Sequence, residues 1–179
     1  MIKETIHQST LELAQGDITQ EETEAIGNAA NAALAGGGGV DGAIHRAGGP
    51  SIMAELKTRY KGCQTGSAVI TAGGNLKAKY VIHAVGPRYS ATAKDAELLA
   101  SAYQKSLELC SQNKISSIAF PSISTGIYGY PVEEASLIAL KTVKDYLKDH
   151  SEIKLVRFVL FDSTTYLAYE KALKELAAL

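Results

Sequence analysis

The sequence has few of the features that mark secreted, membrane-bound or nucleic-acid-binding proteins. Cys63 and Cys110 are the two cysteines among 179 residues, and two isolated cysteines favour a reducing compartment, hence the cytoplasm, over a disulfide framework. No apolar run approaches the length of a membrane span, and the start of the chain lacks a signal peptide's apolar core. The net charge is -1 and lysine and arginine form no block, so no basic patch for nucleic acid or an anionic membrane is expected.

Signals for metals and redox cofactors are also missing. The four histidines and two cysteines do not have the spacing of zinc ligands. The stretch from Gly37 to Gly42 matches the dinucleotide pattern GxGxxG in form, but residues 30–35 separate it from the preceding strand and residues 61–66 contain no acid to hold a ribose. We therefore expect no metal and no cofactor, and any anionic ligand must be held by backbone N–H groups and a few side chains.

The composition that is present is that of an ordinary globular protein. Hydrophobic residues make up 46% of the chain and charged residues 21%, and the length suits one domain over residues 1–179 with a single core. A monomer is the default expectation. Hydrophobic periodicity predicts strands at 5–14, 25–29, 67–71, 80–85, 117–122 and 154–161, and helices at 94–112, 131–148 and 164–176. One or two further helices begin at Val40 and are interrupted at Gly48-Gly49-Pro50.

Strands that alternate with long helices predict an α/β layered fold with a largely parallel sheet covered on both faces. Ligands of such sheets bind beyond the carboxyl ends of the strands. Four unusual segments follow predicted strands: 28–39, Gly86-Pro87, 122–131 and Asp162. We therefore expect the functional site at this edge.

The segment from Asn28 to Gly49 carries the strongest signal, because it contains four consecutive glycines, Gly36 to Gly39. Each glycine in regular structure costs roughly 0.5 to 1 kcal/mol relative to alanine. The usual reason to retain glycines is close approach of a ligand to backbone N–H groups. A flexible linker is the weaker interpretation, since linkers are longer and rich in serine.

Several side chains near this loop have two interpretations each. Asp41 is either a helix cap or a carboxylate that orients or deprotonates a water. His45 shares its helical face and is better explained as a packed histidine. Asn28 and Asn31 either form turns or bond ribose hydroxyls. The same choice between turn and ligand contact applies to the loop from Ser124 to Tyr130, with Tyr128 as a lid over a sugar, and to Asp17 as a cap or an acceptor from an exocyclic amine.

Four motifs in order resemble the macrodomain family, and most closely its MacroD-like branch. They are Gly16-Asp17-Ile18-Thr19, Asn28-Ala29-Ala30-Asn31, the stretch from Gly36 to Gly49, and the run from Ser124 to Pro131, so the resemblance spans nearly the whole chain. It implies a three-layer α/β/α fold with a mixed, largely parallel six-stranded sheet that binds ADP-ribose. The family's aliphatic residue before the Asn-Ala-Ala-Asn motif is replaced by Gly27.

The resemblance also implies roles for individual residues. Asp17 accepts from the adenine amino group, the Ile18 backbone N–H donates to the ring, and Phe161 stacks on adenine. Asn31 holds the distal ribose hydroxyls, Asp41 is the catalytic carboxylate and Tyr128 covers the distal ribose, so these three are the candidate catalytic residues. The diphosphate and distal ribose are held by the backbones of Gly38, Gly39, Val40, Ser124, Thr125, Gly126, Ile127 and Tyr128.

Two classes of function follow from the resemblance. The first is a hydrolase that removes ADP-ribose from ester linkages on protein Asp or Glu and deacetylates O-acetyl-ADP-ribose, with water activated either by Asp41 or by a substrate phosphate. The second is a reader that binds ADP-ribose without turnover; Asn31 together with Asp41 favours the hydrolase. A phosphatase acting on ADP-ribose phosphate is a weaker third possibility. The expected partners are ADP-ribose and ADP-ribosylated proteins or O-acetyl-ADP-ribose.

Overall fold

The computed structural model describes residues 2–179, which form one seven-stranded sheet flanked by helices. The strands are β1 (Ile2–Ile6), β2 (Ser9–Gln15), β3 (Ala25–Ala29), β4 (Ala68–Ala72), β5 (Tyr80–Ala84), β6 (Ser117–Phe120) and β7 (Leu155–Leu160). The α-helices are α1 (Gly39–Gly48), α2 (Pro50–Arg59), α3 (Ala93–Gln112), α4 (Val132–Asp149) and α5 (Ser163–Ala177), with a short 3₁₀ helix at Ile18–Gln20.

The strand order is β1-β2-β7-β6-β3-β5-β4. The five inner strands, from β2 to β5 in this order, pair in parallel. The edge strands β1 and β4 are antiparallel to their neighbours. The carboxyl ends of the five inner strands therefore meet at one edge of the sheet, which we call the site edge.

Helices cover both faces of the sheet. On one face α3, α4 and α5 bury the larger core, in which Phe120, Phe158 and Tyr169 lie fully inside. On the other face α1 and α2 pack Ile44 and Ile52 against the sheet. The predicted three-layer α/β/α fold with a mixed, largely parallel sheet is confirmed.

The predicted number of six strands was wrong, because the segment predicted as one strand at 5–14 is a hairpin. The antiparallel strands β1 and β2 are joined at His7 and Gln8. His7 has a φ of 53°, a left-handed conformation that hairpin turns usually assign to Gly, Asn or Asp. Since the turn contains none of those residues, the alternating pattern continues across it and predicts a single strand.

The open question of one or two helices after Val40 is resolved as two. Gly49 ends α1 with a φ of 79°, and Pro50 begins α2. A left-handed residue terminates a helix readily when it is glycine, and proline suits a first helical position because its missing N–H has no intrahelical partner there. The break turns α2 so that Ile52 and Leu56 reach the sheet.

Neither cysteine forms a disulfide: Cys63 and Cys110 are free and buried, in the cores on opposite faces of the sheet. Within residues 2–179, no helix combines the length and the apolar character needed to cross a membrane.

Gly27 lies in the middle of β3 against an aromatic ring. A Cβ atom placed on Gly27 would lie 2.7 Å from Cδ1 of Phe120, closer than real Cβ atoms come to a neighbour. The Phe120 ring is fully buried and packs edge-on against Tyr103 and beside Phe158. Phe120 therefore occupies the space that a side chain at position 27 would take.

We expect Gly27→Val to lower the free energy of unfolding by about 1 to 3 kcal/mol, since an added side chain in a packed core forces neighbours off their rotamers. Urea unfolding of the wild type, Gly27→Val, Phe120→Leu and the double variant measures this effect. The smaller side chain of Phe120→Leu should relieve part of the cost, which appears as a favourable coupling in the double-mutant cycle. Purely additive effects would show that the ring is not the obstacle.

Candidate functional site

The segments that the sequence analysis placed after strands meet at the site edge. Backbone bonds tie neighbouring segments together there: Gly16 N–H donates to Leu160 O at 3.0 Å, and Ala30 N–H donates to Ala84 O at 2.9 Å. Asn31 and Tyr128, from the loops that follow β3 and β6, line one cavity. The expectation that these distant stretches form a common edge is confirmed.

Asp41 lies at this edge in the first turn of α1 and is only 6% exposed. Its Oδ1 accepts a hydrogen bond from Asn28 Nδ2 at 2.7 Å and lies 3.3 Å from His45 Nε2. Gly38 is the residue that caps the helix, and it makes no side-chain cap bond. The carboxylate therefore contacts Asn28 and His45 and does not cap α1, and His45 packs beside it as the shared helical face predicts.

A chain of hydrogen bonds runs from Asp41 into the sheet. Asn28 Nδ2 also lies 3.1 Å from Nδ1 of His83, and Nε2 of His83 lies 2.9 Å from Oγ1 of Thr71. The Thr71 hydroxyl donates to the carbonyl of Ala72 at 3.0 Å, so it accepts from His83. This assigns the proton of His83 to Nε2 and leaves Nδ1 to accept from Asn28.

Burial fixes the charge of His83. The imidazole is fully enclosed, and desolvation, followed by repulsion from His45, lowers the pKa of His83 to about 3. The ring is therefore neutral at physiological pH. A neutral ring with its proton on Nε2 holds the Asn28 amide with its N–H₂ group toward Asp41.

Asn31 braces its own loop. Its Oδ1 accepts from the Ala35 N–H at 3.0 Å and its Nδ2 donates to the Gly36 carbonyl at 2.9 Å. Leu34 in the same loop has a φ of 54°, so the side-chain bonds hold a turn that the backbone alone disfavours. The turn-forming interpretation of Asn31 is therefore observed, and a ribose contact stays a prediction.

The second loop, after β6, approaches the end of β5 closely. A Cβ atom on Gly86 would lie 2.2 Å from Ser124 Oγ, so only glycine allows this approach. Ser124 has a φ of 70°, and its carbonyl accepts from the Tyr130 N–H at 2.9 Å. Thr125 donates to Ser122 Oγ at 2.8 Å. The loop is thereby held in a defined shape around Gly126.

Buried polar atoms without a protein partner concentrate at the site edge. Among residues 2–179 these side-chain atoms include Asn28 Oδ1, His45 Nδ1 and Ser124 Oγ, and just one other, on Glu4, lies elsewhere. Buried polar groups in folded proteins are nearly always hydrogen-bonded. A concentration of three at one edge is typical of a site that meets a polar ligand.

Gly38 and Gly126 are not required by the fold. A Cβ atom on either would meet no atom within 4 Å, and neither has a positive φ. In contrast, Gly39 and Gly129 have φ values of 58° and 73°. The first N–H groups of α1, next to Gly38, have no intrahelical acceptor and favour anions. The backbone at these two positions is therefore open to the approach of a ligand.

The residues predicted to hold adenine lie along the β2 and β7 end of the site edge. Asp17 Oδ1 accepts from the N–H and the hydroxyl of Thr19, at 2.9 and 2.7 Å, and so caps the 3₁₀ helix. The Ile18 side chain is buried, whereas Phe161, directly after β7, is 84% exposed. Ile127 in the second loop is fully exposed and Val40 is half-buried.

Sequence reasoning missed Arg88, which follows β5 at this edge, and the pair of His83 and Thr71, which lie behind Asp41 within β5 and β4. The Arg88 guanidinium lies 5.1 Å from the ring centroid of Tyr128, a cation–π distance. Its position directly after Gly86-Pro87, a segment already assigned to the edge, was an available signal. Thr71 and His83 lie inside strands, where a polar residue gives no signal of its partner.

The fold and this edge define an α/β protein whose site lies beyond the carboxyl ends of parallel strands. The chain belongs to the Macro domain family, whose model matches residues 27–139. The O-acetyl-ADP-ribose deacetylase 1 of Pantoea vagans is 52% identical over 89% of this chain and 95% of its own length. The ADP-ribose glycohydrolase MACROD2 of Mus musculus is 51% identical over 91% of this chain and 35% of its own length. A mutant of the Oceanobacillus iheyensis macrodomain with ADPR, 44% identical, superposes with a TM-score of 0.95 and covers 99% of both chains.

A substitution at Gly126 tests directly whether a ligand lies against the backbone of the second loop, because the space above Gly126 is open. We expect Gly126→Ala to weaken ADP-ribose binding by about 10-fold while raising the free energy of unfolding by about 0.4 to 1 kcal/mol, since alanine restricts the unfolded chain. Calorimetric titration and urea unfolding measure the two effects. Gly129→Ala is the matched control for stability. Gly129 has a positive φ, so this alanine variant should have a lower free energy of unfolding than the wild type. Unchanged affinity in Gly126→Ala would contradict a ligand at this backbone.

Proposed function

We propose that this chain is an ADP-ribose-binding hydrolase that releases ADP-ribose from esters, both the acetyl ester in O-acetyl-ADP-ribose and the linkage to Asp or Glu of a modified protein. Membership of the Macro domain family supports the proposal, as do the relatives named for deacetylase and glycohydrolase activities. In this proposal residues 1–179 act as one macrodomain, a cytoplasmic monomer that needs no cofactor.

The observation that carries the proposal is the Asp41 carboxylate, buried and oriented beside the glycine loop. Its Oδ2 is the nearest atom to the open side of Gly37, 3.6 Å from a Cβ atom placed there, while Oδ1 is held by Asn28. A carboxylate held in this way has one oxygen for a water or a ribose hydroxyl. A residue needed only to cap the helix would bond to backbone N–H groups of the first turn, whereas the Asp41 carboxylate is held by the Asn28 side chain.

Ester cleavage requires a positioned water, a base and donors for developing negative charge. Water attacks the ester carbonyl carbon, its proton passes to Asp41 or to a substrate phosphate, and N–H groups of the glycine loops stabilise the oxyanion. The bond from the carbonyl carbon to the ribose oxygen then breaks. The ribose oxygen takes up the proton, so the products are ADP-ribose and a free carboxylic acid.

The proposed pose of the ligand follows the site edge from end to end. Asp17, the Ile18 N–H and Phe161 bind adenine. The backbones around Gly38 and Gly126 clasp the diphosphate. The distal ribose lies between Asn31 and Tyr128, with its ester beside Asp41. The separation of these groups along one edge suits a ligand with a base at one end and a reactive sugar at the other.

A non-catalytic reader is the second candidate, and one observation favours it. The Asn31 amide bonds within its own loop, so the presence of Asn31 is explained without chemistry. The glycine loops serve a reader equally well. Asp41 then becomes the residue on which the two functions differ.

The deciding experiment is a time course of ADP-ribose release by the wild type from a glutamate-ADP-ribosylated protein and from O-acetyl-ADP-ribose. Release from both substrates is expected. Binding of ADP-ribose by calorimetry without release from either substrate would overturn hydrolysis and leave the reader. Release from O-acetyl-ADP-ribose alone would restrict the activity to the small ester.

A further inference from the structure

A cavity of about 650 Å³ opens next to the candidate site. It shares Asn31 and Tyr128 with the site, but none of Gly36 to Gly39 and not Asp41 lines it. Its other walls are the segment from Ala32 to Ala35 that leads into the glycine loop, Thr65, the loop from Gly86 to Thr92 and the first turns of α3. If the distal ribose lies between Asn31 and Tyr128, the group esterified to it faces this cavity.

The side chains that line the cavity carry more available positive charge than negative charge. Arg88 and Lys94 line it, and neither forms an ion pair with another residue of the described chain, 2–179. The lining carboxylate, Asp95, is engaged by the Ser90 N–H at 2.8 Å and the Ser90 hydroxyl at 2.7 Å. Lys94 lies in the first turn of a long helix, where the helix dipole disfavours a cation. The two cations therefore have no carboxylate partner among residues 2–179 and suit an acidic ligand.

The cavity wall is tied to the loop that carries Tyr128. The Tyr89 N–H donates to the Tyr128 carbonyl at 2.9 Å, and the Tyr89 ring packs on Tyr130 at a centroid distance of 5.0 Å. Arg88 lies over the Tyr128 ring. These contacts fix the position of the cavity wall relative to Tyr128, the residue proposed to cover the distal ribose.

We propose that this cavity binds the polypeptide that carries the ADP-ribosyl ester and favours acidic residues beside the modified glutamate. The inference rests on the proposed function, because it places the distal ribose between Asn31 and Tyr128, which also line the cavity. Arg88 and Lys94 attract the flanking carboxylates. A small ester such as O-acetyl-ADP-ribose leaves the cavity unused.

The test is a binding measurement in the Asp41→Ala background, where the ester is not consumed. Fluorescence anisotropy compares free ADP-ribose with two peptides that carry one ADP-ribosylated glutamate, flanked by glutamates in one and by glutamines in the other. The acidic peptide is expected to bind about 5-fold more tightly than the glutamine peptide at low salt. Lys94→Glu should remove this preference and leave the affinity for free ADP-ribose unchanged.

Lys171→Glu is the matched control, since Lys171 is exposed on α5, away from the cavity lining, and makes the same change of charge. It should leave all three affinities unchanged. Equal binding of the two peptides, or the same loss of preference in both lysine variants, would overturn the inference. Because these are affinities, a failure of hydrolysis in the wild type is detected separately and bears on the proposed function alone.

A second inference comes from the buried chain of hydrogen bonds behind Asp41. The amide nitrogen of Asn28 faces two acceptors, Asp41 Oδ1 and His83 Nδ1. A flipped amide would place its oxygen against both. We infer that His83 is a positioning residue, which fixes the Asn28 amide and through it the direction of the Asp41 carboxylate.

Three variants test this positioning role. His83→Leu removes the acceptor and is expected to lower ester turnover by about 10-fold or more, while the affinity for ADP-ribose stays within a few-fold. His83→Asn places a carboxamide oxygen near the position that Nδ1 occupies in the wild type, so it should retain part of the turnover that His83→Leu loses. Thr71→Val keeps the shape of its side chain but removes the acceptor for Nε2, and should give an intermediate loss.

Nitrogen NMR of the wild type adds a readout that is independent of these variants, and so covers a His83→Leu variant that does not fold. The neutral tautomer with its proton on Nε2 is expected for His83. The opposite tautomer, or a folded His83→Leu variant with wild-type turnover, would overturn the inference.

Discussion

Replacing Asp41 with alanine is expected to lower the turnover of ADP-ribose esters at least about 100-fold, equivalent to roughly 2.7 kcal/mol of transition-state stabilisation. The affinity for ADP-ribose should stay within a few-fold, because in the proposed pose backbone groups of the glycine loops hold the ligand. Initial rates with O-acetyl-ADP-ribose and calorimetric titration with ADP-ribose measure the two quantities. A carboxylate that acts only in the transition state changes the first and not the second.

Two control variants separate chemistry from structure at this position. Asp41→Asn keeps the shape and an oxygen for Asn28 but cannot take a proton, so its turnover should fall as far as that of Asp41→Ala if Asp41 is the base. If Asp41 only orients the ribose, the asparagine variant should retain most of the activity. Asp145→Ala removes an exposed carboxylate on α4 and should change nothing. Wild-type turnover in Asp41→Ala would remove Asp41 from the mechanism.

At the other end of the site edge, Asp17→Ala is expected to weaken ADP-ribose binding by about 10- to 100-fold, because a hydrogen bond to a charged group contributes about 1.5 to 3 kcal/mol. Turnover at saturating substrate should change little, since adenine lies far from the ester in the proposed pose. Titration calorimetry gives the affinity, and initial rates over a range of O-acetyl-ADP-ribose concentrations separate KM from kcat.

The cap made by Asp17 needs its own control, because the alanine variant also loses the hydrogen bonds to Thr19. That loss costs about 1 kcal/mol of stability. Asp17→Ser keeps a capping oxygen and removes the carboxylate, so it should bind as weakly as the alanine variant while unfolding like the wild type. A serine variant with wild-type affinity would show that the carboxylate does not accept from adenine.

These expectations divide the site into two parts with different physical demands. The adenine end lies beside β2 and β7, where Asp17 and Phe161 are exposed and a contact adds affinity. The ester end lies beside β3, where Asp41, Asn28 and His83 are buried and a contact sets direction. Substitutions at the adenine end should therefore change the affinity for ADP-ribose, and substitutions at the ester end should change the rate of turnover.

Local signals were sufficient where the physical cause is itself local. Strand β3 was predicted with the bounds it has, Ala25–Ala29, because a short apolar run between turn residues has few alternatives. The four glycines pointed to the candidate site because their cost in backbone entropy needs a compensating cause. The hairpin at His7 was missed for the corresponding reason: its left-handed residue is not one of the types that usually announce such a turn.

The sequence by itself therefore determined the α/β layering, the edge of the sheet at which the candidate site lies and the glycine loops at that edge, since periodicity and turn residues act over a few positions. Only the tertiary structure decided which side chains support Asp41. Asn28 and His83 are 55 positions apart along the chain, and they are neighbours because β3 pairs with β5 in a register that sets them side by side. Periodicity specifies which face of a strand is buried, but strand order and register depend on how all the strands pack together.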